Sequence, residues 1–545
     1  MLLWMGYSLS TSRLLACTNY LITKGASVDG STMITYAADS HELYGELYYF
    51  PAADYMEGSM RDVYEWDTNT YLGKIKQVPH TYSFVGLMNE HQVSIGETTW
   101  GGREELKDPN AIIDYGSMMM LALERAKTAR EAIKVMTDLV AEYGYYSSGE
   151  SLSIADPNEV WIMDIISKGK DNKGAVWVAR LVPDGYISAH ANQARIRQFP
   201  LNDPNCLYAK DVISFAREKG YFKGEDKDFS FADAYAPADF GALRACESRV
   251  WSMFRRTVKD PAVFDKYLDY VMGHNPNNPM PLWIKPDKKL SVHDVMELMR
   301  DHFEGTPMDM TKDVGAGPYK LPYRWRPLTW KVEDGKDAPE YCNERAVSTQ
   351  QTGFSFVSQA RAWLPAPIGG VIWFSVDDTY STVYVPMYCG IHSVPKSYAV
   401  GTGSFTELNW ESAWWVFNWV ANYAYSRYSE MIQDIQVVQR QLEGKFLAMQ
   451  PEIEKAALTL YKQSPELARD YLTAYSVKEG DAVVKKWKKL GDFLLYKYLD
   501  GNLKVFTNHK VEVTHPGYPK DWYKRIVEET GDLYKVVEKK KEETH

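Results

Sequence analysis

The chain has 545 residues, of which 45% are hydrophobic and 25% charged, ordinary proportions for a globular protein and unlike those of a disordered one. Its 72 acidic residues outnumber 62 basic ones, a formal charge of −10, which argues against a nucleic-acid partner because phosphate binding needs a cationic face. No uninterrupted apolar run is long enough to span a bilayer, and the cysteines (Cys17, Cys206, Cys246, Cys342, Cys389) are too scattered and odd in number for a disulfide framework or a Cys-x-x-Cys metal site.

Residues 1–16 open apolar, turn polar from Ser8 to Arg13, and end Leu14-Leu15-Ala16 directly before Cys17. A small residue before a scissile bond suits processing, although the segment lacks the basic start and continuous apolar core of a signal peptide. Three readings stay open: the end of an export signal, a short propeptide, or a disordered terminus. The first implies a periplasmic or secreted protein, and a cytoplasmic one remains compatible with the other two. Leu14-Leu15-Ala16-Cys17 also loosely resembles a lipoprotein lipobox.

Thr18 to Thr23 and Ser31 to Tyr36 have strand composition and flank a turn-like Lys24 to Gly30, which predicts a β-hairpin. Pairing about a centre near Val28 sets Cys17 opposite Asp39, within a residue or two of register. A nucleophile and a carboxylate thus meet at the open end of the hairpin. Tyr82 to Met88 and Gln92 to Gly96 form a second predicted hairpin around Asn89-Glu90-His91.

From Ile112 to Tyr143 the pattern is helical, with Ile133, Met136, Leu139 and Val140 as an apolar stripe and Gly144 as terminator. Strands follow at Leu152–Ala155, Glu159–Met163, Ala175–Arg180 and Gly185–Ala189. Strands, then helices, then strands favour hairpin-built sheets with helices packed on them. Residues 197–345 read as loops and short helices covering the core. Strand character returns at Thr352–Ser358, Val371–Val376 and Ser381–Val385. Beyond Ser404 the chain is persistently helical, from Trp414 through Gln441 to Leu499, and the charge run Glu538–Glu543 reads as a solvated tail.

Cys17-Thr18-Asn19, Lys24-Gly25-Ala26-Ser27-Val28-Asp29-Gly30-Ser31-Thr32 and Ala38-Asp39-Ser40 together resemble the mature start of the bacterial dipeptidase A family. These are cysteine N-terminal-nucleophile hydrolases, related to secernins and more distantly to penicillin V acylase and bile-salt hydrolase. Gly86 to Glu90, Ser188 to Ile196, Trp373 to Asp378 and Tyr384 to Gly390 resemble later blocks of the family in the same order. The resemblance implies an α+β fold: a four-layer αββα sandwich over residues 17–403, with a helical C-terminal region over 404–545. It also implies removal of residues 1–16, which would leave Cys17 as the first residue.

In such a hydrolase the terminal thiol attacks an amide carbonyl, and its own α-amine carries the proton through an acyl-thioester. By resemblance, Asp39 orients that amine, Asn89 donates to the oxyanion, and Asn192 and Arg195 orient the intermediate or a substrate carboxylate. The plain alternatives are a turn-forming Asp39, a hairpin-turn Asn89, a structural Asn192 and a surface Arg195. His91 and His190 receive no role. Relatives commonly carry Arg three residues before the Asp, where this chain has Tyr36. Either another cation, Arg195 or Arg249, substitutes for it in lowering the thiol pKa, or the thiol is less activated.

The expected substrates are short peptides, dipeptides foremost. No metal constellation is visible, and the chemistry needs no metal or cofactor; a homo-oligomer is left open. Three alternatives stand: an amidase of other acyl-amides, a surface protein lipidated at Cys17 that binds glycans through exposed Trp and Tyr, and an inactive relative that retains the fold. The adjacent Asp377-Asp378 do not make a glycosidase pair, because neighbours on a strand point to opposite faces.

Overall fold

A computed structural model describes residues 17–335, 337–508 and 510–537, so the expectations for segment 1–16 and the Glu538–Glu543 run lie outside the described residues. The first hairpin forms where the sequence places it. β1 (Asn19–Ile22) and β2 (Thr32–Asp39) run antiparallel, joined by a short helical turn at Lys24–Ala26 and by Gly30, whose φ of +82° suits a residue without a Cβ. Leu21 pairs with Ile34 and Thr18 bridges Ala37, a register one residue from that expected. Continued outward, it sets Cys17 level with Ala38, with Asp39 one step beyond.

Thirteen further strands complete two large sheets. In chain order they are β3 (Tyr49–Phe50), β4 (Phe84–Val85), β5 (Met88–Asn89), β6 (Ser94–Trp100), β7 (Gly149–Ala155), β8 (Val160–Ser167) and β9 (Ala175–Leu181). There follow β10 (Ile187–His190), β11 (Cys206–Tyr208), β12 (Trp283–Ile284), β13 (Thr352–Ala360), β14 (Val371–Val376) and β15 (Val385–Tyr388). One sheet has the order β12-β10-β1-β2-β13-β14-β15 and the other β11-β9-β8-β7-β6-β5-β4-β3, with antiparallel neighbours throughout. The expected late strand at Ser381–Val385 moves to β15, because Asp378 caps a helical turn at Thr379–Ser381 and delays the extended backbone.

The sheets pack face to face, β1 and β2 against β6, β7 and β8. Gly96 in β6 permits the approach: a Cβ there would lie 2.7 Å from Asn19 Nδ2 and 3.2 Å from the Thr35 carbonyl oxygen. Strands covered on both faces have no solvent-facing side, which is why β7, β8, β13 and β14 are buried along their whole length.

Helices form the outer layers. α1 (Tyr115–Leu123) and α2 (Ala129–Tyr143) cover the second sheet; the sequence suggests one helix, but Thr128 ends the link by capping α2, accepting from the Glu131 N–H. Ile133, Met136, Leu139 and Val140 are all buried, and Gly144 terminates α2 with φ +81°. On the far side α4 (Ala413–Tyr425), α5 (Tyr428–Tyr461) and α6 (Pro465–Tyr498) pack against β14 and β15, so the C-terminal helices supply the fourth layer. Between the layers, α3 (Ser248–Arg256) lies in the loop-rich 197–345 region and packs on β10. The architecture is the α+β, four-layer αββα sandwich of an N-terminal-nucleophile-type fold.

Candidate active site

Cys17 sits at the start of β1, buried between the sheets at 3% exposure. Its thiol faces the Glu97 carboxyl across the sandwich, Sγ to Oε1 3.6 Å, and accepts from the Asp39 amide N–H. Burial first, then the Glu97 and Asp39 charges, hold the thiol well above its ordinary pKa, and the Asp39 N–H opposes them weakly. With the chain continuous through residue 16, the sulfur is a protonated and poor nucleophile.

Arg249, on the buried face of α3, fixes this end of the strand. Its Nη1 donates to the Cys17 main-chain oxygen at 2.6 Å and to Thr18 Oγ1 at 2.8 Å. Its Nη2 reaches the Ala191 oxygen at 3.1 Å and Asn192 Oδ1 at 2.9 Å. Burial and the neighbouring Arg345 bring the Arg249 pKa down to about 10, which leaves the cation charged at neutral pH. Of the two cations named for the Tyr36 departure, Arg249 is the one that contacts Cys17.

Asp39 is held from another direction. Arg345 pairs with its Oδ2 and Thr352 Oγ1 donates to Oδ1 at 2.6 Å. Burial raises the Asp39 pKa, while Arg345 and Thr352 work against the rise. A cavity of about 450 Å³ opens beside this end of β2, lined in part by Ser40, His41, Arg326, Gln351, Thr352 and Trp414.

The remaining expected residues divide. Asn192 joins the cluster: its φ of +63° turns the chain after β10, Nδ2 donates to the Thr99 oxygen at 2.6 Å, and Oδ1 accepts from Arg249. Arg195 is a buried strut instead of a surface or substrate-facing cation. It pairs with Glu247 at 2.8 Å and donates to the main-chain oxygens of Ala189, Leu282 and Pro281. Asn89 is likewise corrected as an oxyanion donor. Both amide protons are committed, to the Leu123 oxygen at 2.8 Å and the Ala126 oxygen at 2.7 Å, while Oδ1 accepts from the His91 and Val93 amides. It braces the β5–β6 turn against the end of α1.

His190 bridges Thr98 Oγ1 and Ser153 Oγ at 2.7 Å each; burial, aided by Arg195, takes its pKa down to about 3, so it stays neutral. Asp378 accepts from Tyr323 at 2.7 Å and Tyr425 at 3.0 Å, whereas Asp377 accepts from Asn418 at 2.9 Å, so the two acids serve separate partners.

Sequence reasoning passes over four residues: Glu97, Glu150, Arg345 and Thr352. Glu97 and Glu150 carried the only available signal, an ionisable side chain inside a stretch of otherwise strand-like composition. Tyr36, at the position expected to hold a cation, donates its hydroxyl to Glu97.

The model of peptidase family C69 matches residues 16–441. A "Probable dipeptidase" of Latilactobacillus sakei is 24% identical over 86% of this chain and 96% of its own length. One of Salmonella dublin is 26% identical over 70% and 83%, and "Probable dipeptidase B" of Streptococcus pyogenes serotype M1 is 22% identical over 87% and 92%. A family match over most of the chain, on this sandwich and taking in this cysteine, makes the protein a cysteine-type peptidase of family C69.

Proposed function

We propose that this peptidase hydrolyses the amide bond of short peptides, dipeptides foremost, with Cys17 as nucleophile and the Cys17 α-amine as base. The observation that carries the reading is the convergence on Cys17 of Arg249, Asp39 and Glu97, contributed by three separate parts of the chain. The names of the relatives support dipeptides as the class of substrate.

Cleavage between Ala16 and Cys17 frees an α-amine with an ordinary pKa of about 7.7–8.0, beside a thiol that ordinarily titrates at about 8.5. The thiol passes its proton to that amine, and the thiolate adds to the scissile carbonyl carbon. Collapse breaks the C–N bond, and the ammonium returns the proton to the departing amine. Water then adds to the thioester with the α-amine again taking its proton, and the carboxylic acid product leaves as the thiol reforms. Asp39, one residue beyond the level of Cys17, is placed to hold the new ammonium, and that charge offsets the acids that raise the thiol pKa. The uncut chain has no such amine, so it is inactive.

Intact-mass analysis of purified protein together with a dipeptide panel tests the reading. A free amine at Cys17, with hydrolysis abolished by Cys17→Ser, supports it. Acyl chains on Cys17, or full hydrolysis by the Ser variant, overturn it.

A further inference from the structure

The cavity of about 450 Å³ beside the end of β2 has no part in the chemistry above, although its size lies within the range of about 300–1,000 Å³ usual for small-molecule sites. It begins where the nucleophile's surroundings end. The Asp39 N–H meets the thiol, and the next two residues, Ser40 and His41, line the cavity. Its wall combines a cation with aromatic rings.

Arg326 is the cation. Its Nη2 donates to the side chain of Gln351, whose main-chain oxygen accepts from the Ser40 N–H at 2.9 Å, so the guanidinium is tied to the catalytic end of β2. Among the described residues no carboxylate forms an ion pair with Arg326. Burial, then the charge of Arg345, bring its pKa down to about 10, which leaves it charged at neutral pH. Arg249, Arg326 and Arg345 have Asp39 as a common counter-charge, and Arg345 already holds it. The rings stand beside this excess of positive charge. Trp414 and Trp415 open α4 with ring centres 4.8 Å apart, and Phe405 packs on Trp414 at 5.6 Å. Phe405 is nonetheless 45% exposed, and Trp325, the residue before Arg326, is 63% exposed.

We propose that this cavity holds the second residue of a dipeptide substrate, its carboxylate on Arg326 and its side chain against the aromatic wall, so that the enzyme prefers dipeptides with an aromatic C-terminal residue. The inference rests on the reading of Cys17 as nucleophile and adds a side-chain preference to it.

Charge decides which half of the substrate enters. Cations that outnumber their counter-charge attract a carboxylate and repel an ammonium, so the residue carrying the free amine lies elsewhere. A guanidinium presents paired donors that match the two oxygens of a carboxylate. Length agrees with this. In a dipeptide the carboxylate carbon is three bonds from the scissile carbonyl carbon, under about 4 Å by standard bond lengths. A substrate under attack by Sγ therefore keeps its carboxylate near Asp39, whose charge Arg326 feels. The wall then sorts side chains. Any apolar group that enters removes the exposed faces of Trp325 and Phe405 from water, and a ring gains further from offset or edge-to-face contact with them.

The test compares Ala-Phe, Ala-Leu, Ala-Gly and Ala-phenylalaninamide on the processed wild-type enzyme and on Arg326→Gln and Trp325→Ala. The four substrates share one acyl half and so form the same thioester; differences in kcat/KM report the leaving half alone. Wild type is expected to prefer Ala-Phe to Ala-Gly by about 10–100-fold and to Ala-Leu by about 2–10-fold. It is expected to prefer Ala-Phe to the amide by about 10–100-fold, the weight of a charge-assisted contact. Arg326→Gln is expected to lose most of the discrimination against the amide, and Trp325→Ala, a change at an exposed side chain, most of the discrimination against Ala-Gly. Equal kcat/KM for Ala-Phe and Ala-Gly, Ala-Leu as good as Ala-Phe, or a cooperatively melting Arg326→Gln enzyme that still rejects the amide overturns the pocket and leaves Cys17 catalysis standing. If wild type cleaves none of the four, the dipeptidase reading falls and the pocket falls with it.

Discussion

The guanidinium of Arg249 grips the main-chain oxygen of Cys17 at 2.6 Å across 232 residues of sequence. It reaches Thr18 and Asn192 as well, so one planar cation ties the start of β1 to the turn after β10. As the terminal nucleophile proposed above, Cys17 would have neighbours on one side only. A clamp on its carbonyl is what keeps such a residue in register with the carbonyl that it attacks.

Arg249→Lys therefore tests positioning. A lysine keeps the charge and loses the fork, so it cannot serve the same four acceptors. We expect kcat to fall at least about tenfold with a smaller change in KM, because misplacement acts on the chemical step. Steady-state kinetics on protein with an intact circular-dichroism spectrum checks this, and unchanged kcat removes the role.

Asn89→Ala separates bracing from oxyanion binding. The substitution deletes four hydrogen bonds within the β5–β6 turn and to the end of α1. Unpaired buried groups cost about 1–3 kcal/mol each, so thermal melting should show a marked loss of stability. In the fraction that stays folded, kcat should remain within a few-fold of wild type. A drop of about 10²–10³ in kcat at normal stability would restore the oxyanion role.

Asp39→Asn removes one charge of the buried Asp39–Arg345 pair and takes the anion from beside Cys17. Breaking a buried pair on one side costs about 3–5 kcal/mol, and an apolar replacement of both sides is often far milder. The double variant Asp39→Asn/Arg345→Met should recover stability in a denaturant melt and should not recover hydrolysis. Activity that returned together with stability would reduce Asp39 to a structural acid.

Two buried acids on neighbouring strands, Glu97 on β6 and Glu150 on β7, make stability depend on pH with a definite sign. Glu150 has a folded-state pKa well above its unfolded value of about 4.3, so between the two the folded protein holds a proton that the unfolded chain has released. Its contribution is fully present below about pH 4.3 and is lost as pH rises through the folded pKa. Glu150→Gln removes that loss. The variant's melting temperature should exceed that of unliganded wild type at pH 8, and the gap should close near pH 4. A gap of the same size at both pH values would contradict the assignment.

Much of this was legible locally. Strand composition and a seven-residue turn place the first hairpin, and spacing about its centre brings Cys17 near Asp39, because antiparallel pairing needs nothing beyond the two strands and the turn. The apolar stripe of α2 and its Gly144 stop are legible for the same reason. Asn89 and Arg195 show the limit. Each stands in a block of residues that resembles the dipeptidase family, yet a side chain's donors are spent on whatever the fold brings beside them. For Asn89 these are the carbonyls at the end of α1, and for Arg195 they are Glu247 and the main chain near Pro281.

The order of residues thus decided the hairpin and the family, since each is written in contiguous segments. Which cations serve the site, Arg249 at the Cys17 oxygen and Arg345 at Asp39, was settled when loops from the middle of the chain closed over the sandwich. The meeting of Glu97 with Cys17 required one sheet to lie on the other at the depth that Gly96 allows. Contacts between layers depend on the packing of side chains far apart in sequence, and no local pattern encodes that distance.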